Sequence, residues 1–149
     1  MGTTQQVILT TTVTASAALT QQRFVGADNG PCQAGAVALV GLTGHLVEVE
    51  AHLAASIPGF TLIGLPDASL SEARDRVRSA LINSGYAFPA KKITINLAPA
   101  DLPKEGGRYD LPIALALLVA SEQLNTTRLN QYEFVGELAL TGGLRGVPG

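Results

Sequence analysis

The chain has 149 residues with 46% hydrophobic, 15% charged and 5% aromatic side chains, one Cys and no Trp, which is one domain's worth of sequence. Ten Lys and Arg against twelve Asp and Glu give a formal charge of -2, so no global basic field holds nucleic acid and any such contact has to be a local patch. The lone Cys32 excludes an internal disulfide and a cysteine-based zinc cage, no apolar run reaches the roughly 18 residues that span a bilayer, and the N-terminus lacks the basic and long apolar regions of a signal peptide, which together suit a cytoplasmic protein with no membrane partner.

Residues 1–36 carry only Arg23 and Asp28 as charged side chains; VILTTTVTA reads there as an extended strand and ADNGPCQAG as a turn-rich connector. AVALV, the turn GLTG and HLVEVEAHL then form a hairpin candidate, followed by a third extended run, FTLIGL, that stops at Pro66. Ser69 and Glu72 have capping-box spacing at the start of a helix whose inner face is Leu70, Ala73, Val77, Ala80 and Leu81 and whose left-handed stop is Gly85. Glu72 is placed to pair with Arg76, and Arg74 and Arg78 stand one turn apart on the outer face.

KKITINLAP alternates Ile93, Ile95 and Leu97 against Thr94, Asn96 and Ala98, the pattern of a half-buried strand. After the loop APADLPKEGGRY, Asp110 is placed to cap LPIALALLVASEQL, which is apolar nearly all round and so predicts a central buried helix with Pro112 in its first turn. EFVGELALTGG reads as a strand into a tight turn, with LRGV beginning the return. The order β-β-β-α-β-α-β-β predicts an α/β (α+β) domain, a mixed sheet with two crossover helices.

The search for chemistry is largely negative. No Gly-Lys-Ser/Thr tripeptide exists to make a phosphate-binding loop, so ATP hydrolysis by this chain is not expected. His45 and His52 lack a third metal ligand at suitable spacing, and Cys32 has no nearby basic pair to activate it. No Ser or Thr occurs between Ala98 and Val119, so the loop holding Lys104, Glu105 and Gly106 offers no hydroxyl nucleophile. Basic residues gather in three sets, Arg74/Arg76/Arg78, Lys91/Lys92 and Lys104/Arg108, and Arg74, Arg78, Lys91, Lys92, Lys104 and Arg108 are the candidate DNA contacts; the competing reading is a solvated face neutralised by Glu72, Asp75, Glu105 and Asp110.

Residues 44–86, 91–118 and 135–149, above all GLPDASLSEARDRVRSA and NLAPADLPKEGGRYDLPIA, resemble the N-terminal domain of the ComM/YifB-type, magnesium-chelatase-like AAA+ ATPases, over about residues 37–149. The resemblance implies the fold of the Lon proteolytic domain, set ahead of a hexamer-forming ATPase module that holds ATP and Mg, with no cofactor in this chain. It implies as partners that module, the hexamer subunits and single-stranded or branched DNA, since ComM-type hexamers are helicases for branch migration in natural transformation. Laid on the Lon pattern K-D-G-P-S-A-G, the nucleophile position falls on Arg108, so a non-catalytic accessory domain is expected. Residues 1–36 lie outside this resemblance and weakly resemble phage head-decoration proteins, which a fusion, a misjoined reading frame or a chimera would explain; the alternative function is then a self-associating structural module with no nucleic-acid role. The resemblance also implies that the Lon-like domain continues past residue 149. A cut return strand would leave an edge open to VILTTTVTA or to a homodimer partner.

Overall fold

The computed structural model describes residues 32–40, 43–124 and 132–147; the strand expected at VILTTTVTA lies outside them. Strands β1 (Cys32–Val40), β2 (Thr43–Ala54), β3 (Gly59–Ile63) and β4 (Lys92–Ala98) form a mixed sheet in the order β1-β2-β4-β3. The β1–β2 and β2–β4 pairs are antiparallel and β3–β4 is parallel. The hairpin of β1 and β2 forms as the alternation requires, but β1 begins earlier than expected. Cys32–Gly35, read as part of a turn-rich connector, pair with Glu48–Ala51, so the strand runs across the boundary drawn at residue 37.

A parallel pair needs a crossover, and the chain supplies it as the short helix α1 (Ala68–Ser71) and α2 (Ala73–Asn83), joined at Glu72, which keeps helical dihedrals. The cap is Asp67, not the expected Ser69. Its extended backbone and its Oδ1, 2.6 Å from the Leu70 amide, satisfy an orphan donor of the first turn, which leaves Ser69 inside the helix. Leu70, Ala73, Val77, Ala80 and Leu81 are all buried, as their spacing demands. At the other end Gly85, at φ 84, donates to Ile82 O and Tyr86 to Leu81 O, the paired bonds of a Schellman stop.

Helix α3 (Asp110–Ala120) lies over β1 and β2 with α2 beside it, so both long helices cover the same face of the sheet. Ile93, Ile95 and Leu97 of β4 point into that layer with Val47, Val49 and Ala51 of β2. Each large side chain fully buried there stabilises the fold by about 1.5–3 kcal/mol. Apolar on almost every side, α3 buries all of Asp110 to Val119. Asp110 is the first residue of the helix and not its cap, because the one-turn 3-10 segment Gly107–Tyr109 feeds directly into it. The return strand is present: β5 (Glu137–Leu138) pairs with β6 (Leu144–Arg145) in a separate two-stranded ladder. Among the described residues no helix is long and apolar enough to cross a membrane.

Candidate nucleic-acid interface

The amphipathic pattern that buries one face of α2 puts Arg74 and Arg78, four residues apart, on the exposed one. The Arg78 guanidinium carbon lies 5.8 Å from the centroid of the Phe88 ring, on the connection between α2 and β4. Gln123 holds that connection against the end of α3 by bonding both the amide and the carbonyl of Ala87. Lys91 and Lys92 follow Phe88 within four residues and are exposed where β4 begins. Arg74, Arg78, Lys91 and Lys92 form no ion pair among the described residues, whereas Arg76, of the same basic set, is neutralised by Glu72 and Asp110 as the competing reading has it.

Arg76 and Lys104 are used internally. Arg76 pairs with Glu72 at 3.5 Å as its spacing requires, but its stronger partner is Asp110, 34 positions away. Nε reaches Oδ2 at 2.6 Å and Nη2 reaches Oδ1 at 3.1 Å, while the Leu138 amide donates to Oδ2 at 3.1 Å. Burial raises the Asp110 pKa, and the Arg76 bond, the Leu138 N–H and the Arg76 charge hold that rise back. This fork ties α2, α3 and β5 together.

Lys104 is removed from the set of DNA contacts. It is fully buried, its ammonium donates to the Pro99 carbonyl, and desolvation lowers its pKa against the opposing pull of Asp101. Its backbone explains the burial. The Lys104 amide donates to Leu65 O and its carbonyl accepts from the Asp67 amide, lacing the loop onto the segment that leads into α1. Gly106 adds a bond to Asp67 Oδ2 at 3.2 Å. Arg108 sits half-buried in the one-turn segment of this loop, with its carbonyl accepting from the Gly136 amide. The loop follows the C-terminal end of β4, whereas Lys91 and Lys92 stand at its N-terminal end, so Lys104 and Arg108 are separated from the two lysines by the length of that strand.

Lys104 meets a backbone carbonyl rather than a hydroxyl, and Tyr109, the one hydroxyl-bearing side chain there, is buried with its pKa pushed up to about 12 by desolvation. His45 and His52 are both exposed on β2, and no three His, Cys, Asp or Glu residues gather among the described residues in a way that could hold a metal. Sequence reasoning missed the Arg78–Phe88 contact, because nothing local in YAFPA marks Phe88 as a neighbour of the helix face.

Residues 49–149 match the family described as subunit ChlI of Mg-chelatase. The chain is 68% identical over 112 residues to the uncharacterized protein YifB of Escherichia coli (strain K12), and 62% identical over 112 residues to the competence protein ComM of Haemophilus influenzae (strain ATCC 51907 / DSM 11121 / KW20 / Rd). A protein of Mycobacterium tuberculosis (strain ATCC 25618 / H37Rv), Rv2897c, is 46% identical over 113 residues. These alignments cover 75–76% of the chain and 22% of each relative, so the chain spans about a fifth of the length of the relatives it matches. With the mixed sheet and the one-sided helix layer in view, the chain belongs to the magnesium-chelatase-like ChlI family, of the ComM/YifB type.

Proposed function

We propose that the chain is a non-catalytic accessory domain of a ComM-like hexameric AAA+ DNA helicase, one that assists ring assembly and offers a DNA contact during branch migration in natural transformation. ATP and Mg belong, on this reading, to an ATPase module outside the chain, and the Lon-like ancestry of the domain survives as scaffold without peptidase chemistry. Kinship with a protein named for competence supports the biological setting. The observation that carries the DNA contact is the set of four exposed cations, Arg74, Arg78, Lys91 and Lys92, none of which has an ion pair among the described residues, in a chain whose net charge is -2.

The test is a fluorescence-anisotropy titration of labelled single-stranded DNA at several salt concentrations. Four phosphate contacts give a slope of log K against log salt of about -3, and the charge reversals Arg74→Glu and Arg78→Glu together reduce that slope by about half. Salt-independent or absent binding at high micromolar protein moves DNA contact to the ATPase module and leaves this domain an assembly element.

A second reading, a self-associating module, is favoured by the β3 edge. β3 has a strand partner on one side only among the described residues, and Ile57, Ile63 and Leu65 are 86%, 46% and 56% exposed along it. It predicts a concentration-dependent dimer in light scattering that Ile63→Lys abolishes, as a charge on an edge strand should. A strict monomer at high concentration removes it.

A further inference from the structure

Phe88 packs against the hydrophobic core, is only half-buried, and carries the Arg78 guanidinium over its ring at 5.8 Å. The ring and the guanidinium together present a π surface at the exposed side of α2, with Arg74 one turn earlier on the helix and Lys91 and Lys92 within four residues of the ring in the chain, all three exposed. Unpaired nucleobases stack on aromatic rings and on guanidinium planes, whereas the bases of a duplex stack on one another and show only their edges. An acidic peptide would satisfy the cations and leave the ring without a role. We propose, building on the nucleic-acid reading above, that Arg78 and Phe88 form a stacking subsite for an unpaired base, with Arg74, Lys91 and Lys92 on the neighbouring phosphates, so that this surface selects single-stranded over duplex DNA.

Stacking and phosphate contact separate when the base is removed and the backbone kept. The experiment titrates the full 149-residue chain and its Phe88→Leu variant with a short oligothymidylate, with an abasic oligonucleotide of the same length, and with a duplex. Leucine keeps the apolar packing under the loop, and matching thermal melts confirm an intact fold. One lost stacked base weakens oligothymidylate binding about fivefold or more in Phe88→Leu, while binding of the abasic strand and of the duplex is unchanged. Arg78→Lys, which keeps the charge and loses the plane, is the second variant and shows the same selective loss.

Equal loss on the thymidine and abasic strands overturns the subsite, since Phe88 would then only position Arg78. So does wild-type protein that binds both strands alike. An acidic peptide of matching charge that competes as well as oligothymidylate assigns the patch to a protein partner and also overturns it. Absence of salt-sensitive binding to every nucleic acid is a different result, because it removes the nucleic-acid reading itself.

Discussion

Arg76→Met lowers the stability of the domain by about 3–5 kcal/mol near pH 8, and by clearly less near pH 4. The loss comes from the carboxylate left behind. Asp110 is fully buried and its oxygens accept from Arg76 Nε, Arg76 Nη2 and the Leu138 amide. Methionine fills the volume of the arginine stem but leaves an ionised carboxylate with one N–H donor in a site closed to bulk solvent, the arrangement in which breaking a buried pair costs most. Burial already raises the folded-state pKa of Asp110, and the Arg76 bond and charge are what restrain it, so their removal raises it further. In the unfolded chain the group titrates near about 4. A group whose folded pKa lies above its unfolded value contributes stability below the unfolded pKa and loses it as pH rises through the folded one. The deficit of Arg76→Met therefore grows from about pH 4 upward. Chemical denaturation of wild type and variant across that range measures it, and a deficit independent of pH would mean that Asp110 is not the group responsible. The double variant Arg76→Met with Asp110→Asn recovers most of the loss, because a neutral amide still accepts from Leu138 and leaves no charge stranded.

That fork marks the limit of what can be read along the chain. The β1–β2 hairpin, β4, the inner face of α2 and the buried α3 were legible because each is written as a period, and a period is carried by many residues at once. Asp110 read as a helix cap because Asp before an apolar run usually is one; its true partner comes from a helix 34 positions earlier, which no local pattern encodes. Asp67 shows the same thing at the start of α1. Ser69 read as the cap, but Asp67 takes that position and also accepts from the Gly106 amide 39 residues on, a tertiary bond that no local pattern encodes. Lys104 illustrates the converse error, since a lysine in a Gly-rich loop reads as solvated. Only the ladder of its own backbone onto Leu65 and Asp67 draws it inside. Of the candidate site, the outer face of α2 and the two lysines opening β4 were legible as exposed cations, while the ring of Phe88 that meets Arg78 was not.

The same junction yields the other large effect, Gly64→Ala, which costs about 4 kcal/mol or more. Gly64 follows the last residue of β3 at φ 105, a conformation that L side chains rarely adopt, and a Cβ placed there would stand 2.1 Å from the Leu97 carbonyl oxygen and 2.9 Å from its carbon. Both obstacles are backbone of the central strand β4, whose Leu97 side chain is fully buried, so neither can step aside cheaply. Relief by moving Gly64 instead shifts Leu65, itself held at φ 54 with its carbonyl accepting from the Lys104 amide, and then Asp67, which caps α1 and bonds Gly106. One methyl group thus strains the β3–β4 pairing, the lacing of the Lys104 loop and the start of the crossover helix together. Gly106→Ala separates the two causes. Gly106 also has a positive φ, 77, with ψ -179, but nothing lies within 4 Å of an added Cβ, so only the conformational penalty of about 1–3 kcal/mol applies. Urea denaturation of the pair should give a large midpoint shift for Gly64→Ala and a clearly smaller one for Gly106→Ala. Equal shifts would show that dihedral preference alone explains both, and that the close approach of the chain at Gly64 to β4 is not what requires glycine there.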